Sequence, residues 1–143
     1  MILPDANLLI YAIDRESVHH SKARAWVEQI LSETTPVGIA WIVVLAFLRV
    51  TTIQRQTRRV LSTERAIAFV DSWLAKPHVS LVLPSEQHWP ILRNLLQMSG
   101  TSGNVTSDAH LAALAIEYGY TVFTADRDFR KFDGVTVVNP LEH

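Results

Sequence analysis

Apolar positions along the chain fall into two rhythms. Short runs are bounded by Gly, Pro or Asp, and longer stretches repeat at spacings of three and four. Ile2-Leu3 is a short run stopped at Pro4-Asp5, and Ala6–Ile13 reads as a helical turn or two. Ser17–Glu33 places Val18, Ala25, Trp26, Ile30 and Leu31 at helix spacing, with Ser17 suited to cap it. Val37-Gly38-Ile39 predicts a short strand. Ala40–Ile53 is apolar nearly all round and too long for a buried strand, so it predicts a buried helix despite its β-branched residues. Thr63 to Lys76 (stopped by Pro77), Ser85–Met98 (Pro90 in its first turn) and Val105–Tyr118 (ended by Gly119) predict three more helices. Val79–Leu83, Thr121–Thr124 and Val135–Val138 predict strands, and Gly100–Gly103 a loop. Strands interleaved with helices imply a mostly parallel sheet of about five strands, covered on both faces.

Composition narrows the class. The 143 residues suit one domain, expected over residues 1–140, and 48% hydrophobic content is enough for a core. The closing Leu141-Glu142-His143 has the look of a tag remnant and carries no functional weight. Without cysteine there is no disulfide framework, thiolate metal site or cysteine nucleophile. No apolar run reaches the ~20 residues of a membrane span, and no basic leader opens the chain, so a soluble cytoplasmic protein is expected. The net charge of -1 hides an asymmetry: Arg49, Arg55, Arg58, Arg59 and Arg65 face a single acid, Glu64, between positions 49 and 65. Arginine forks suit phosphates, although a solvated basic face would have the same composition.

The carboxylates decide more. In an open parallel sheet, ligands bind beyond the carboxyl ends of the strands. Asp5 follows the first strand, and Asp126 follows Thr121–Thr124, with Asp128 two residues on. The helix Val105–Tyr118 reaches its strand through a one-glycine turn, so the two run antiparallel and Asp108 returns to the same rim. There the helix dipole favours an ionised Asp108, and Asn104 or Thr106 is available as cap. Singly, each acid reads equally well as a turn or cap residue. Together they form an all-oxygen set suited to Mg2+ or Mn2+, an ion that activates water and neutralises a phosphodiester. An acidic rim beside a basic flank points to a metal nuclease.

Leu3-Pro4-Asp5-Ala6-Asn7-Leu8-Leu9-Ile10-Tyr11-Ala12, Ser107-Asp108-Ala109-His110-Leu111 and Thr124-Ala125-Asp126-Arg127-Asp128-Phe129 resemble, in order and spacing, the acidic motifs of PIN-domain ribonucleases, particularly VapC-type toxins. The resemblance spans residues 1–140. It implies a PIN-like three-layer α/β/α sandwich and a Mg2+-dependent endoribonuclease of a bacterial toxin–antitoxin pair. It also implies a homodimer inhibited by a VapB-like antitoxin whose tail enters the acidic groove. Asp5, Asp108 and Asp126 would hold the ion, with Asp128 as fourth ligand or water-orienting base. Arg49, Arg55, Arg58 and Arg59 would contact RNA, and Asn7, Ser107 and Thr124 would orient the carboxylates. One position departs from the pattern: Ala46 stands where the family carries a glutamate, which puts a two-metal site in question.

Two other readings stay open. One is a PIN-fold module that binds RNA or antitoxin without cutting. The other is a phosphatase with Asp5 as nucleophile, although Asn7 stands where such enzymes carry a second Asp. His110 reads as a packed histidine, and Trp26, Trp41, Trp73 and Trp89 as core or dimer residues.

Overall fold

The computed structural model describes residues 1–54 and 58–142. Five strands, β1 (Ile2–Pro4), β2 (Val37–Ala40), β3 (Val79–Val82), β4 (Thr121–Phe123) and β5 (Thr136–Val138), form one sheet of order β3-β2-β1-β4-β5. Every pairing is parallel. The helices are α1 (Ala6–Tyr11), α2 (His20–Ser32), α3 (Trp41–Thr52), α4 (Thr63–Leu74), α5 (His88–Ser99) and α6 (Val105–Tyr118). A 3-10 turn, Arg127–Lys131, lies between β4 and β5, where no element was expected.

Period-two alternation explains why this sheet must be covered twice. Ile2, Val37, Ile39 and Val79 point to one face and join Ile30 of α2 and Val44 of α3 in a small apolar cluster. Leu3, Ala40, Val82 and Val122 point to the other and join the main core with Leu8, Phe47 and Leu111. Neither face of the central strands meets water, so the strands read as continuous apolar runs. Aromatic contacts fix the helices: the Phe47 ring meets Trp73 edge-on at 4.7 Å, and Trp26 stacks on Phe123 at 5.4 Å. Trp41 and Trp89, by contrast, are 48% and 62% exposed.

The strand order also fixes where a ligand can go. From β1 the chain moves outward through β2 to β3, then crosses back to β4 on the opposite side of β1. The direction reverses between β1 and β4, which opens the crevice at their carboxyl ends. Pro4 pairs with Phe123 there, so the residues that follow, Asp5 and Thr124, are neighbours. Gly119, in the left-handed region at φ 75°, turns α6 back into β4 and returns its N-terminus to that rim.

Some local expectations differ. Ser17 caps no helix; its hydroxyl accepts from the His19 amide in a preceding turn, and α2 starts at His20. Asn104 sits at the N-cap of α6 without a side-chain hydrogen bond, and the Thr106 hydroxyl donates instead to the Thr101 carbonyl. Leu141 is buried in the core, so the packed chain continues past residue 140.

Gly38 of β2 has no room for a side chain. A Cβ there would stand 2.4 Å from Val82 Cγ2 and 2.8 Å from the Tyr120 ring. Gly38→Ala should therefore destabilise the domain by about 1–3 kcal/mol, the usual cost of overpacking. In urea unfolding the midpoint should drop at unchanged m-value; an unaltered midpoint would mean that β2 and β3 separate without penalty.

Candidate active site

The Thr124 hydroxyl organises the β1–β4 crevice. It is 1% exposed and donates to Asp5 Oδ2 at 2.8 Å. It accepts from Asn7 Nδ2 at 3.2 Å and from the Asp126 amide at 3.0 Å. Both of those groups can only donate, so the single hydroxyl proton must go to Asp5. The other Asp5 oxygen accepts from the Ala6 amide at 2.7 Å, capping α1. Asp126 Oδ1 accepts from the Asp128 amide at 2.9 Å, opening the 3-10 turn. Thr124 thus holds the acid that follows β1 directly, and Asn7 reaches it through Thr124. Asn7 is committed to this structural contact, so the second acid that a phosphatase reading wants is absent by position.

Asp5, Asp108 and Asp126 line one cleft of about 600 Å³ together with Ala46, Arg49 and Ser107. Asp128 is not part of that lining; it is exposed, and Asp108 feels it only as a nearby negative charge. Burial pushes the Asp5 carboxyl above its usual range, against the Thr124 and Ala6 hydrogen bonds and with a smaller push from Asp126. Asp108 is raised from 3.8 to about 6, first by burial, then by Asp5 and Asp126, with Lys131 opposing. The helix dipole was expected to keep Asp108 ionised. Desolvation and the neighbouring carboxylates outweigh it.

The donor set bears on a cation. The acids of the cleft lining offer oxygen alone, with neither imidazole nor sulfur, which is the chemistry of a hard divalent ion. Desolvated carboxylates repelling one another are also what such an ion would relieve. Among the described residues, however, no three His, Asp or Glu side chains stand ready-closed around an ion. Ala46 of α3, where the family pattern carries a glutamate, lines this same cleft.

The arginines separate. Arg49 lines the carboxylate cleft. Arg58 and Arg59 line a different cavity of about 630 Å³, between α1–α2 and α4, whose apolar wall includes Leu9, Val27, Phe69 and Trp73. Arg58 was expected to lack acids to pair with, yet it bridges Asp14 and Glu16 from the loop after α1. Arg55 lies outside the described residues.

Sequence patterns did not expose a second polar network beneath α5. Glu117 of α6, its side chain 1% exposed, accepts from the Ser85 amide and hydroxyl at 2.8 and 2.6 Å and meets His88 Nδ1 at 2.5 Å. His88 Nε2 reaches His110 Nδ1 at 2.9 Å. Burial pushes Glu117 upward, but the Ser85 and His88 contacts prevail and hold it below its usual range. Burial and then His88 lower His110, against the pull of Glu117. The packed role expected for His110 is what the structure shows; its partners, far apart in sequence, gave no periodic signal.

The PIN domain family model matches residues 2–135. Ribonuclease VapC37 of Mycobacterium tuberculosis is 42% identical over 135 residues, 94% of each chain. Ribonuclease VapC33 of the same species is 36% identical over 141 residues, 99% of each. Among solved structures, VapBC2 from Rickettsia felis bound to a promoter DNA fragment superposes with a TM-score of 0.69 at 19% identity, covering 97% of this chain and 98% of that one. The chain belongs to the PIN-domain family, on its VapC ribonuclease branch. No helix among the described residues is long and apolar enough to cross a membrane.

The raised Asp108 carboxyl makes the metal-free protein pH-sensitive. Between about pH 4 and pH 6 the native chain keeps this proton while the unfolded chain has lost it. Native protein then binds more protons, so the contribution stabilises at low pH and is lost as pH rises through that window. Asp5 acts in the same direction. In EDTA, Asp108→Asn should flatten the fall in melting temperature between pH 4.5 and 7 and should melt higher than wild type at pH 7. Parallel wild-type and variant curves would show that Asp108 is an ordinary surface acid.

Proposed function

We propose that this protein is the Mg2+- or Mn2+-dependent endoribonuclease toxin of a bacterial toxin–antitoxin pair, cutting RNA phosphodiester bonds in the Asp5–Asp108–Asp126 cleft. The observation that carries this reading is the meeting of three carboxylates from separate segments in one cleft, where Asp5 and Asp126 add to the burial that raises the proton affinity of Asp108. The relatives named as ribonucleases support it. Asp5, Asp108 and Asp126 would hold the ion, which when bound supplies charge neutralisation at the phosphate and a more acidic water. Thr124 and Asn7 keep Asp5 aimed into the cleft, and Ser107 borders it. Asp128, exposed and outside that lining, would orient water rather than ligate. Arg49 in the cleft lining is suited to a phosphate of the substrate.

The partner reading follows from the second cavity. Its apolar floor suits an amphipathic protein segment better than an extended polynucleotide; the rim is mixed, with Arg58 and Arg24 paired to Asp14, Glu16 and Glu28, while Arg59 and Arg65 add positive charge. The solved neighbour pairs its toxin-like chain with a VapB-type protein. A VapB-like antitoxin and a homodimer are accordingly the proposed partners of this chain, with Arg58 and Arg59 assigned to the antitoxin side.

Ala46 favours a second reading, a PIN fold that binds RNA or antitoxin without cutting it. The two differ in one experiment. Asp5→Asn and Asp108→Asn should each lower divalent-dependent cleavage of RNA by on the order of 10²–10³-fold, the scale of several kcal/mol of lost charge stabilisation, while the fold stays intact. Variants that cut at wild-type rates would remove these residues from the site. A wild-type protein that binds RNA but never cuts it would establish the non-cleaving module.

Restoring the missing acid probes the ion directly. With one wall of the cleft lacking a carboxylate, more of the ion's coordination positions fall to water. Ala46→Glu should tighten Mn2+ binding in calorimetric titration, and saturating Mn2+ should raise the variant's melting temperature more than the wild type's. A destabilised variant that Mn2+ does not rescue would mean that position 46 belongs to the core.

A further inference from the structure

The 3-10 turn between β4 and β5 sorts its side chains into three faces. With three residues per turn, side chains at i and i+3 stand over each other, so Arg127 and Arg130 share one face and Asp128 and Lys131 a second. The third position is apolar: Phe129 is fully buried, and Phe132, just past the turn, is 4% exposed and meets it edge-on at 5.8 Å. Those two rings anchor the turn, so its charged faces are held rather than swinging on a loop. Asp128 and Lys131 both act electrostatically on Asp108, the first raising its carboxyl and the second lowering it. The Arg127–Arg130 face borders a small depression formed with Thr124 and Asp126. Asp126 lines both this depression and the cleft, so the two are neighbours across that residue.

Arg127 and Arg130 are 80% and 64% exposed, and their ion pairs, both to Glu142, are long at 3.6 and 3.8 Å. Such exposed contacts hold a guanidinium weakly and are readily exchanged for a better anion. Two guanidinium forks on one face of a turn anchored by buried rings, beside the acid that borders the cleft, suit the oxygens of a phosphate backbone. We propose that the Arg127–Arg130 face is a phosphate grip that holds the RNA strand on the β5 side of the cleft, opposite Arg49. This rests on the RNA-cleaving reading above and moves the strand's basic contacts from the region around Arg58 to the two edges of the cleft.

The test separates the grip from that reading. Binding of a short fluorescent single-stranded RNA is followed by anisotropy across a KCl series in EDTA, where divalent-dependent cleavage is silent. Arg127→Ala/Arg130→Ala should weaken binding at low salt and flatten the log–log salt slope by about 1.4, at about 0.7 per phosphate contact on a single strand. Arg127→Lys/Arg130→Lys, which keeps the charge, should retain most of the slope. Arg93→Ala, an exposed cation of α5, should leave it unchanged. The melting temperature of each variant checks the fold. An unchanged slope in the alanine pair, or an equal loss in Arg93→Ala, overturns the grip while leaving the cleavage reading intact. Absence of salt-dependent RNA binding in the wild type overturns the grip, and failure of that same protein to cut RNA with Mn2+ restored overturns the cleavage reading as well.

Discussion

Everything at the functional rim hangs on one hydroxyl. Thr124 stands where β4 ends beside β1, and its single proton and two lone pairs are all spoken for by Asp5, Asn7 and the Asp126 amide. The sheet register puts it there: Pro4 pairs with Phe123, so the next residue on each strand is the acid or the hydroxyl that orients it. A one-residue slip would turn Leu3 toward the wrong helix layer and part the two. Burial of Leu3 and Val122 on one face and Ile2 on the other therefore specifies the site as firmly as its polar contacts do. Packing and chemistry are the same constraint at this edge.

The fold was legible because its signals are local. Each strand is a short apolar run closed by a turn-forming residue, and each helix has either apolar spacing or a Gly or Pro boundary. The strand–helix order then left few topologies. The convergence of Asp5, Asp108 and Asp126 was legible for the same reason, since the carboxyl ends of parallel strands and the start of an antiparallel helix share a rim. What escaped depends on contacts between distant residues. The Glu117–His88–His110 chain joins α5 and α6 across 29 and 22 positions, with no periodicity to announce it. The Ser17 cap failed more simply, since a serine two residues ahead of the cap position reads like one in place.

Charge was the least legible layer. The arginines concentrated between positions 49 and 65 suggested a single basic surface, but a run in sequence spans two sides of the folded chain. Arg49, on α3, opens onto the carboxylates, while Arg58 is drawn to Asp14 and Glu16, more than forty residues earlier. The cations nearest the acids at the other edge were hidden in a segment read for its aspartates. Arg127, Arg130 and Lys131 alternate with Asp128 and Phe129, so no charge run marks them. Only the three-residue period of the turn separates that mixture into faces.

The carboxylate cleft is costly to the metal-free fold, and the cost falls on α6. Asp108 is desolvated beside two other acids in the first turn of that helix. The remainder of α6 offsets this: Ala109 and the stretch Leu111–Ala115 are buried, so the helix is held by apolar contact on nearly every side. At its far end Glu117 ties it to His88 and to Ser85, in the loop before α5. A helix fixed along its length and at its C-terminal end cannot withdraw its N-terminus to relieve repulsion. The carboxylates are consequently held together in the absence of a cation, and a ligand that binds them recovers energy the fold has already spent. With α6 held in this way, the room left beside Asp108 in the cleft is set by what α3 presents, which at position 46 is a small alanine.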